Sequence, residues 1–165
     1  IAQDDLMDEL NEETKNETSF ELPAFKAMKI GNIQSTKIAS KGDLYLYVSH
    51  RFGALKDGFD TFFGLDDANT KIQLAYSFWE GVQFTLSRES YNKTYASSVK
   101  FRLAQQSNSF PINLVGYGTV NINTQLDKVN FPNLKTADRY SYAAQILISR
   151  RFSEKFSFEI DTSKK

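Results

Sequence analysis

The sequence predicts an all-β fold, an antiparallel up-and-down transmembrane β-barrel of which the chain covers only part, about seven strands. Three observations predict it. From Asp43 onward large apolar residues alternate with polar or small ones, the period of a strand whose two faces meet different surroundings. Several of these stretches reach about 10 residues, the length of a tilted strand crossing a bilayer, whereas soluble sheets average about five to six. The connections are long after the first and fifth strands ("GALKDGFDTFFGLDDA", "TQLDKVNFPNLKTAD") and tight after the second and sixth ("WEG", "SEK"). Long loops thus gather at one edge and short turns at the other. "YNKT" and "QQSNSF" fit this asymmetry less well.

Residues 1–25 form an acidic N-terminal segment with eight acids against Lys15, a net charge of minus seven, so the remaining residues carry plus seven and the whole chain sums to zero. Leu6, Met7 and Leu10 suit either a short amphipathic helix over 4–17 or a solvated tail. Ala2 and Gln3 resemble what remains after signal-peptide cleavage. Residues 26–42 read as an extended lead-in with weak alternation, ending at a Lys41-Gly42 turn.

The barrel strands occupy 43–165. In the first, Leu44, Leu46, Val48, His50 and Phe52 oppose Tyr45, Tyr47, Ser49, Arg51 and Gly53. Next, Ile72, Leu74, Tyr76 and Phe78 oppose Lys71, Gln73, Ala75 and Ser77. After a turn at Gly81, Val82, Phe84 and Leu86 oppose Gln83, Thr85, Ser87 and Glu89. Val99, Phe101 and Leu103 oppose Lys100 and Arg102. Ile112, Leu114, Gly116, Gly118, Val120 and Ile122 oppose Asn113, Tyr117, Thr119 and Asn121. Tyr140, Tyr142, Ala144, Ile146 and Ile148 oppose Ser141, Gln145, Ser149 and Arg151, and Phe156, Phe158 and Ile160 oppose Ser157, Glu159 and Asp161. The apolar set expected to face lipid includes Leu44, Leu46, Val48, Ile72, Leu74, Phe84, Leu86, Phe101, Ile146 and Ile148. The charged set expected to face the lumen is Arg51, Glu89, Lys100, Arg102, Arg151 and Glu159. Seven strands leave two edges, and "FEIDTSKK" lacks the terminal aromatic of such barrels, so the expectation is that the last third or more of the natural protein is missing.

Composition narrows the chemistry. No cysteine is present, which removes thiolate ligands and disulfides. A mean hydropathy of -0.44 suits a soluble protein and a membrane barrel equally, because barrel strands average their two faces. The single histidine, His50, follows Ser49, but neighbours in a strand point to opposite faces and cannot form a nucleophile and base pair; a serine from another strand stays open. One imidazole makes a metal site improbable. Asp66 and Asp67, with Asp60 and Gly64 near them, depart from calcium-loop spacing and read as solvated. The Asn16-Glu17-Thr18 and Asn92-Lys93-Thr94 tripeptides carry little meaning in bacteria. No catalytic residue, cofactor or nucleic-acid partner is assigned. The lumen charges read either as internal salt bridges, favoured by their mixed signs, or as an anion-biased pore lining.

The stretches "KGDLYLYVSHRFG", "GFDTFFGLDDA" and "YSFWEGVQFTLSRESYNKTY" resemble an uncharacterised family of outer-membrane β-barrel proteins from the Bacteroidota. The resemblance rests on His50 to Gly53, Phe63 to Asp66 and Arg88 to Thr94. It covers about residues 20–160 and implies a barrel fold in the outer membrane of a Gram-negative bacterium, with no known activity to carry over; family members run on past this terminus. The expected function is a channel or a structural subunit of a larger outer-membrane complex. In either case the acidic segment lies in the periplasm and the partners are lipid and other outer-membrane or periplasmic proteins. The alternatives are a barrel-type membrane hydrolase using His50 and a soluble exported barrel closed over an apolar ligand.

Overall fold

The computed structural model describes residues 24–164 apart from Asn32, Asp67, Asn108, Lys128 and Glu154. The helix-or-tail question over 4–17 and the Asp67 half of the loop acid pair lie outside the described residues. Two short strands, β1 (Lys29–Ile30) and β2 (Ile33–Gln34), form a hairpin by themselves. Seven longer strands then follow: β3 (Leu44–Arg51), β4 (Asn69–Trp79), β5 (Val82–Glu89), β6 (Tyr95–Ala104), β7 (Asn113–Ile122), β8 (Tyr140–Arg151) and β9 (Ser157–Lys164). Each pairs antiparallel with the next, giving one curled half-barrel sheet in plain chain order. The predicted all-β, up-and-down architecture is therefore the observed one. Helical content among the described residues is confined to short 3-10 turns in connections, and none of it is long and apolar enough to cross a membrane.

Register follows from the alternation. Leu46 lies opposite Leu74 and Leu74 opposite Leu86, so apolar side chains stack across three strands on one face. Gln83 lies opposite Lys100 and Lys100 opposite Tyr117 on the other. A slip of one residue would exchange the two faces completely, which is why a strongly two-faced sequence fixes its register. The strands run longer than the alternation alone marks: β4 begins at Asn69 rather than Lys71, and β6 at Tyr95, ahead of Val99. Irregularities in pairing sit near Tyr76/Trp79 and Arg102/Ala104, both at the short-turn edge, where a bulge increases local twist.

Two glycines have identifiable roles. Gly81 completes the tight turn between β4 and β5 at φ 75°, a conformation a side chain resists, and its carbonyl accepts the Arg102 amide at 2.8 Å. Gly116 on β7 sits opposite Phe101, the tip of whose ring lies over it, so a Cβ there would collide with the ring.

The lead-in before β3 departs from the weakly extended stretch expected of it. The lead-in runs along the polar, concave side of the sheet, where Met28 before the β1–β2 hairpin and Ser35, Thr36, Ile38 and Ala39 after it are all buried. Ile38 packs against Val115 and Leu147, with Tyr117 beside them, forming a small apolar cluster between lead-in and sheet.

Candidate functional site

The two faces of the sheet are wetted in the reverse of a soluble protein. On the convex face Leu46 is 66% exposed and Leu86 62%, although both lie mid-strand, while on the concave face Lys100 is only 2% exposed. Leu44, Val48, Ile72, Leu74, Phe84, Phe101 and Ile146 share the exposed convex face; Ile148 lies there too but is half-buried. A contiguous apolar exposure of this extent marks a surface meant for another apolar phase.

Aromatic residues border that band at both edges. At the short-turn edge Phe78 meets Tyr76 at 4.5 Å and Phe84 at 5.8 Å between ring centres, and Trp79 lies beside both phenylalanines. At the long-loop edge Tyr140 stacks on Tyr142 at 6.5 Å. Two arginines reach the convex side, one near each edge: Arg88 donates to the Tyr95 hydroxyl at 3.2 Å, and Arg150 lies 4.7 Å from the centre of the Phe152 ring. An apolar belt with aromatic girdles and boundary arginines matches how side chains distribute across a bilayer interface.

The concave face is held by the lead-in. Lys100 spends its three donors on lead-in carbonyls, those of Met28 at 3.1 Å, Ser35 at 2.9 Å and Lys37 at 3.1 Å. Glu159 Oε2 accepts the Thr36 amide at 3.0 Å, and the Thr36 and Ser149 hydroxyls share a hydrogen bond of 2.6 Å. Gln83 Oε1 accepts the Ala39 amide, while Ser77 donates to the Ala39 carbonyl. Backbone groups that would need β partners thus find sheet side chains instead. Among the described residues, none offers a hydrogen bond to the buried Glu159 Oε1.

The charges expected to act together separate into three environments. Lys100 and Glu159 bind the lead-in. Arg102 pairs with Glu80 at 3.0 Å on the short-turn rim, where Arg151 also donates from Nε to the Ser153 carbonyl at 3.3 Å. Arg51 and Glu89 lie toward the long-loop edge, where Glu89 pairs with Lys71 at 3.6 Å. That second region is a polar cavity of about 250 Å³ on the concave face, floored by Lys29, Gly31 and Gln34 of the hairpin and its turn. Lys29 donates to Gln73 Oε1 at 2.6 Å. Burial, then repulsion from Lys71 and Arg51, brings the Lys29 ammonium down to about 8, against a weaker pull from Glu89. Sequence reasoning placed Lys71 on this face by its alternation but had no local signal for Lys29, which only the folding-back of the lead-in delivers. A larger hollow of about 600 Å³ lies on the opposite, apolar face over Gly118 and Ala144.

His50 stands on the convex face near the long-loop edge, with Nδ1 3.0 Å from the Thr70 hydroxyl across the β3–β4 pair. This hydrogen bond joins the exposed imidazole to a half-buried hydroxyl on the facing strand. Among the described residues no group of three or more His, Cys, Asp or Glu is placed to hold a metal ion.

A sheet that is apolar outside and polar inside, curled, meandering and bordered by aromatics defines a membrane β-barrel domain. Residues 25–163 match the family described as membrane bound beta barrel domain (DUF5777), and the chain belongs to that family. No curated protein and no solved structure matches the chain. The membrane barrel reading of the sequence stands, no enzymatic family is indicated, and the soluble barrel with inward-facing Phe and Ile is overturned by their convex exposure.

Proposed function

We propose that this domain forms part of the wall of an outer-membrane barrel in a Gram-negative bacterium, of Bacteroidota origin on the motif resemblance, and serves as a structural subunit of a larger assembly rather than as a free channel. The convex band meets lipid. The short-turn edge, where the lead-in enters, lies in the periplasm, and the long loops lie outside.

The observation that supports a closed, structural role is the lead-in fastened through its carbonyls to Lys100. A channel lining is expected to leave its charges to water and cargo. Here a buried ammonium and the Glu159 carboxylate are committed to the protein's own chain. The β3–β4 connection supports partnership at the outer edge, because Leu55, Phe59 and Phe62 are exposed there and the Phe59 and Phe63 rings meet at 4.9 Å. Nothing in the His50 geometry supports hydrolysis, since its Thr70 partner lies on the lipid-side face of this reading.

The test is the full-length protein extracted from outer membranes in mild detergent, run in electrophoresis with and without boiling, and reconstituted in a planar bilayer. The proposal expects a boiling-dependent shift in mobility, co-purifying outer-membrane proteins in the unboiled band, and no steady conductance. Stable open-channel current from protein free of partners would overturn the structural role.

A further inference from the structure

Gly116 and Gly118 stand two residues apart on the convex face of β7, yet the chain itself accounts for only the first. A Cβ at Gly116 would strike the Phe101 ring, whereas a Cβ at Gly118 would meet only a Val99 methyl, at an ordinary 4.0 Å. Gly118 has no left-handed backbone, and pairing runs unbroken through it to Val99 and Ala144, so neither a turn nor a bulge calls for it. Glycine weakens the middle of a strand, and where the fold does not require it, it marks close approach by something else. Over Gly118 and Ala144 lies the hollow of about 600 Å³, bordered on this face by Phe84, Val99, Val120 and Tyr142. That volume falls within the roughly 300–1,000 Å³ of pockets that take a small ligand.

Register places a cation at one end of the hollow. The cross-strand row Phe84, Val99, Gly118, Ala144 lies four residues from the row Arg88, Tyr95, Ile122, Tyr140. At the usual rise and a tilt of about 40°, the floor is about 10 Å deeper in the membrane than Arg88. Arg88 is exposed and donates from Nε to the Tyr95 hydroxyl, and among the described residues no carboxylate pairs with it. The neighbouring Glu89 faces the other way, toward Lys71. Together with residues 91–94 and 123–139, the connections at this end, Arg88 makes a basic border: Arg88, Lys93, Lys128, Lys135 and Arg139 against Asp127 and Asp138. The two acids accept amides within their own connection, those of Asn130 and Lys135.

We propose that the hollow holds an acyl chain of a phosphorylated lipid, with the phosphate at Arg88 and Tyr95 and the chain lying over Gly118 and Ala144. The guanidinium offers a planar fork that matches phosphate oxygens. The Tyr95 hydroxyl accepts from Arg88 and keeps its own proton to donate to the same phosphate. The basic border attracts an anionic headgroup, and the apolar floor accepts only the chain. The inference rests on the convex face meeting lipid, and it holds whichever leaflet the long-loop edge occupies.

Native mass spectrometry of the full-length protein in mild detergent, titrated with dioleoyl phosphatidic acid, dioleoyl phosphatidylcholine and inorganic phosphate, tests it. Phosphatidic acid is expected to bind about fivefold more tightly than phosphatidylcholine, the contribution of one basic residue beside an anionic headgroup. Inorganic phosphate should not compete. Arg88→Gln should abolish the preference and leave phosphatidylcholine unchanged, whereas Arg150→Gln, at the other edge, should leave the preference intact. Gly118→Leu fills the hollow and should weaken both lipids while the boiling-dependent shift persists; Ala144→Leu fills it from the next strand should the first variant not fold. The proposal is overturned by equal affinity for the two lipids, by a preference that survives Arg88→Gln, or by lipid binding that ignores both leucine variants. Full competition by inorganic phosphate would assign Arg88 to free anions instead, and a co-purifying subunit released by Gly118→Leu with lipid binding unchanged would assign the hollow to a protein neighbour. Failure in protein that shows the boiling-dependent shift belongs to the hollow alone; absence of the shift in the unaltered protein removes the membrane barrel and the lipid site with it.

Discussion

Lys100 illustrates how a single side chain can organise an interior. Its ammonium is almost wholly buried and makes three hydrogen bonds to carbonyls of one segment, so removing it strands three acceptors at once. Lys100→Met should loosen docking of the lead-in by about 2–4 kcal/mol, read as faster hydrogen exchange at the Ser35, Thr36 and Ala39 amides and earlier proteolytic cleavage before β3. Lys29 makes a pH-dependent contribution of opposite character. Its folded pKa, about 8, lies below the ordinary 10.5, so the undocked lysine holds its proton more tightly. Docking of the hairpin therefore carries the full penalty below about 8 and strengthens as pH rises from there toward 10.5. The protection factor of the Ser35 amide, bonded to the Met28 carbonyl at 3.0 Å and corrected for the intrinsic rise of exchange with pH, should increase over that window, and Lys29→Met should reduce the slope. Gly116 makes a packing test. Gly116→Ala forces the Phe101 ring off β7 and should cost about 1–3 kcal/mol in urea unfolding from detergent, as overpacking does.

At the scale of the strand, what matters is which face a position serves. Leu74 lies mid-band on the convex side between Leu46 and Leu86. Leu74→Arg should cost about 2–4 kcal/mol in folding into lipid vesicles, the penalty of a cation at mid-membrane depth, whereas Thr85→Arg on the concave side should cost much less. This two-faced character was legible in the sequence because alternation is a local property. All seven strands show it, and the long connections after β3 and β7 read correctly against the tight turn at Gly81. The lead-in was illegible for a physical reason. Its backbone carbonyls make the contacts to Lys100, and a carbonyl has no residue identity to read. The buried Val115 and Leu147 did leave a trace, since each interrupts alternation: Val115 follows Leu114, and Leu147 stands between Ile146 and Ile148. An apolar residue on the polar face of a strand signals something apolar across from it, here Ile38. The charged set shares one side of the sheet by its period, yet its division into separate environments depends on where the lead-in lies.

For the molecule as a whole, an apolar convex belt and a polar, self-bonded concavity together account for both the modest hydropathy and the match to a membrane barrel family. Strands β6 and β7, each of 10 residues, climb roughly 25 Å at the usual rise and a tilt of about 40°, close to the height of the apolar band in outer-membrane barrels. The belt is bounded by aromatics, and Trp79, the one tryptophan in the chain, lies in the short-turn girdle on the convex side. Its fluorescence therefore reports directly on what that face touches, with no substitution needed. The most direct measurement is quenching of Trp79 in the protein reconstituted into vesicles whose lipids carry bromine at defined depths along the acyl chain. Strong quenching by bromine near the headgroup end, weaker quenching by bromine near the chain terminus, and poor quenching by aqueous acrylamide is the result a lipid-facing belt with an interfacial girdle requires. Efficient acrylamide quenching with no response to brominated lipid at any depth would contradict it, placing the convex face in water or against protein.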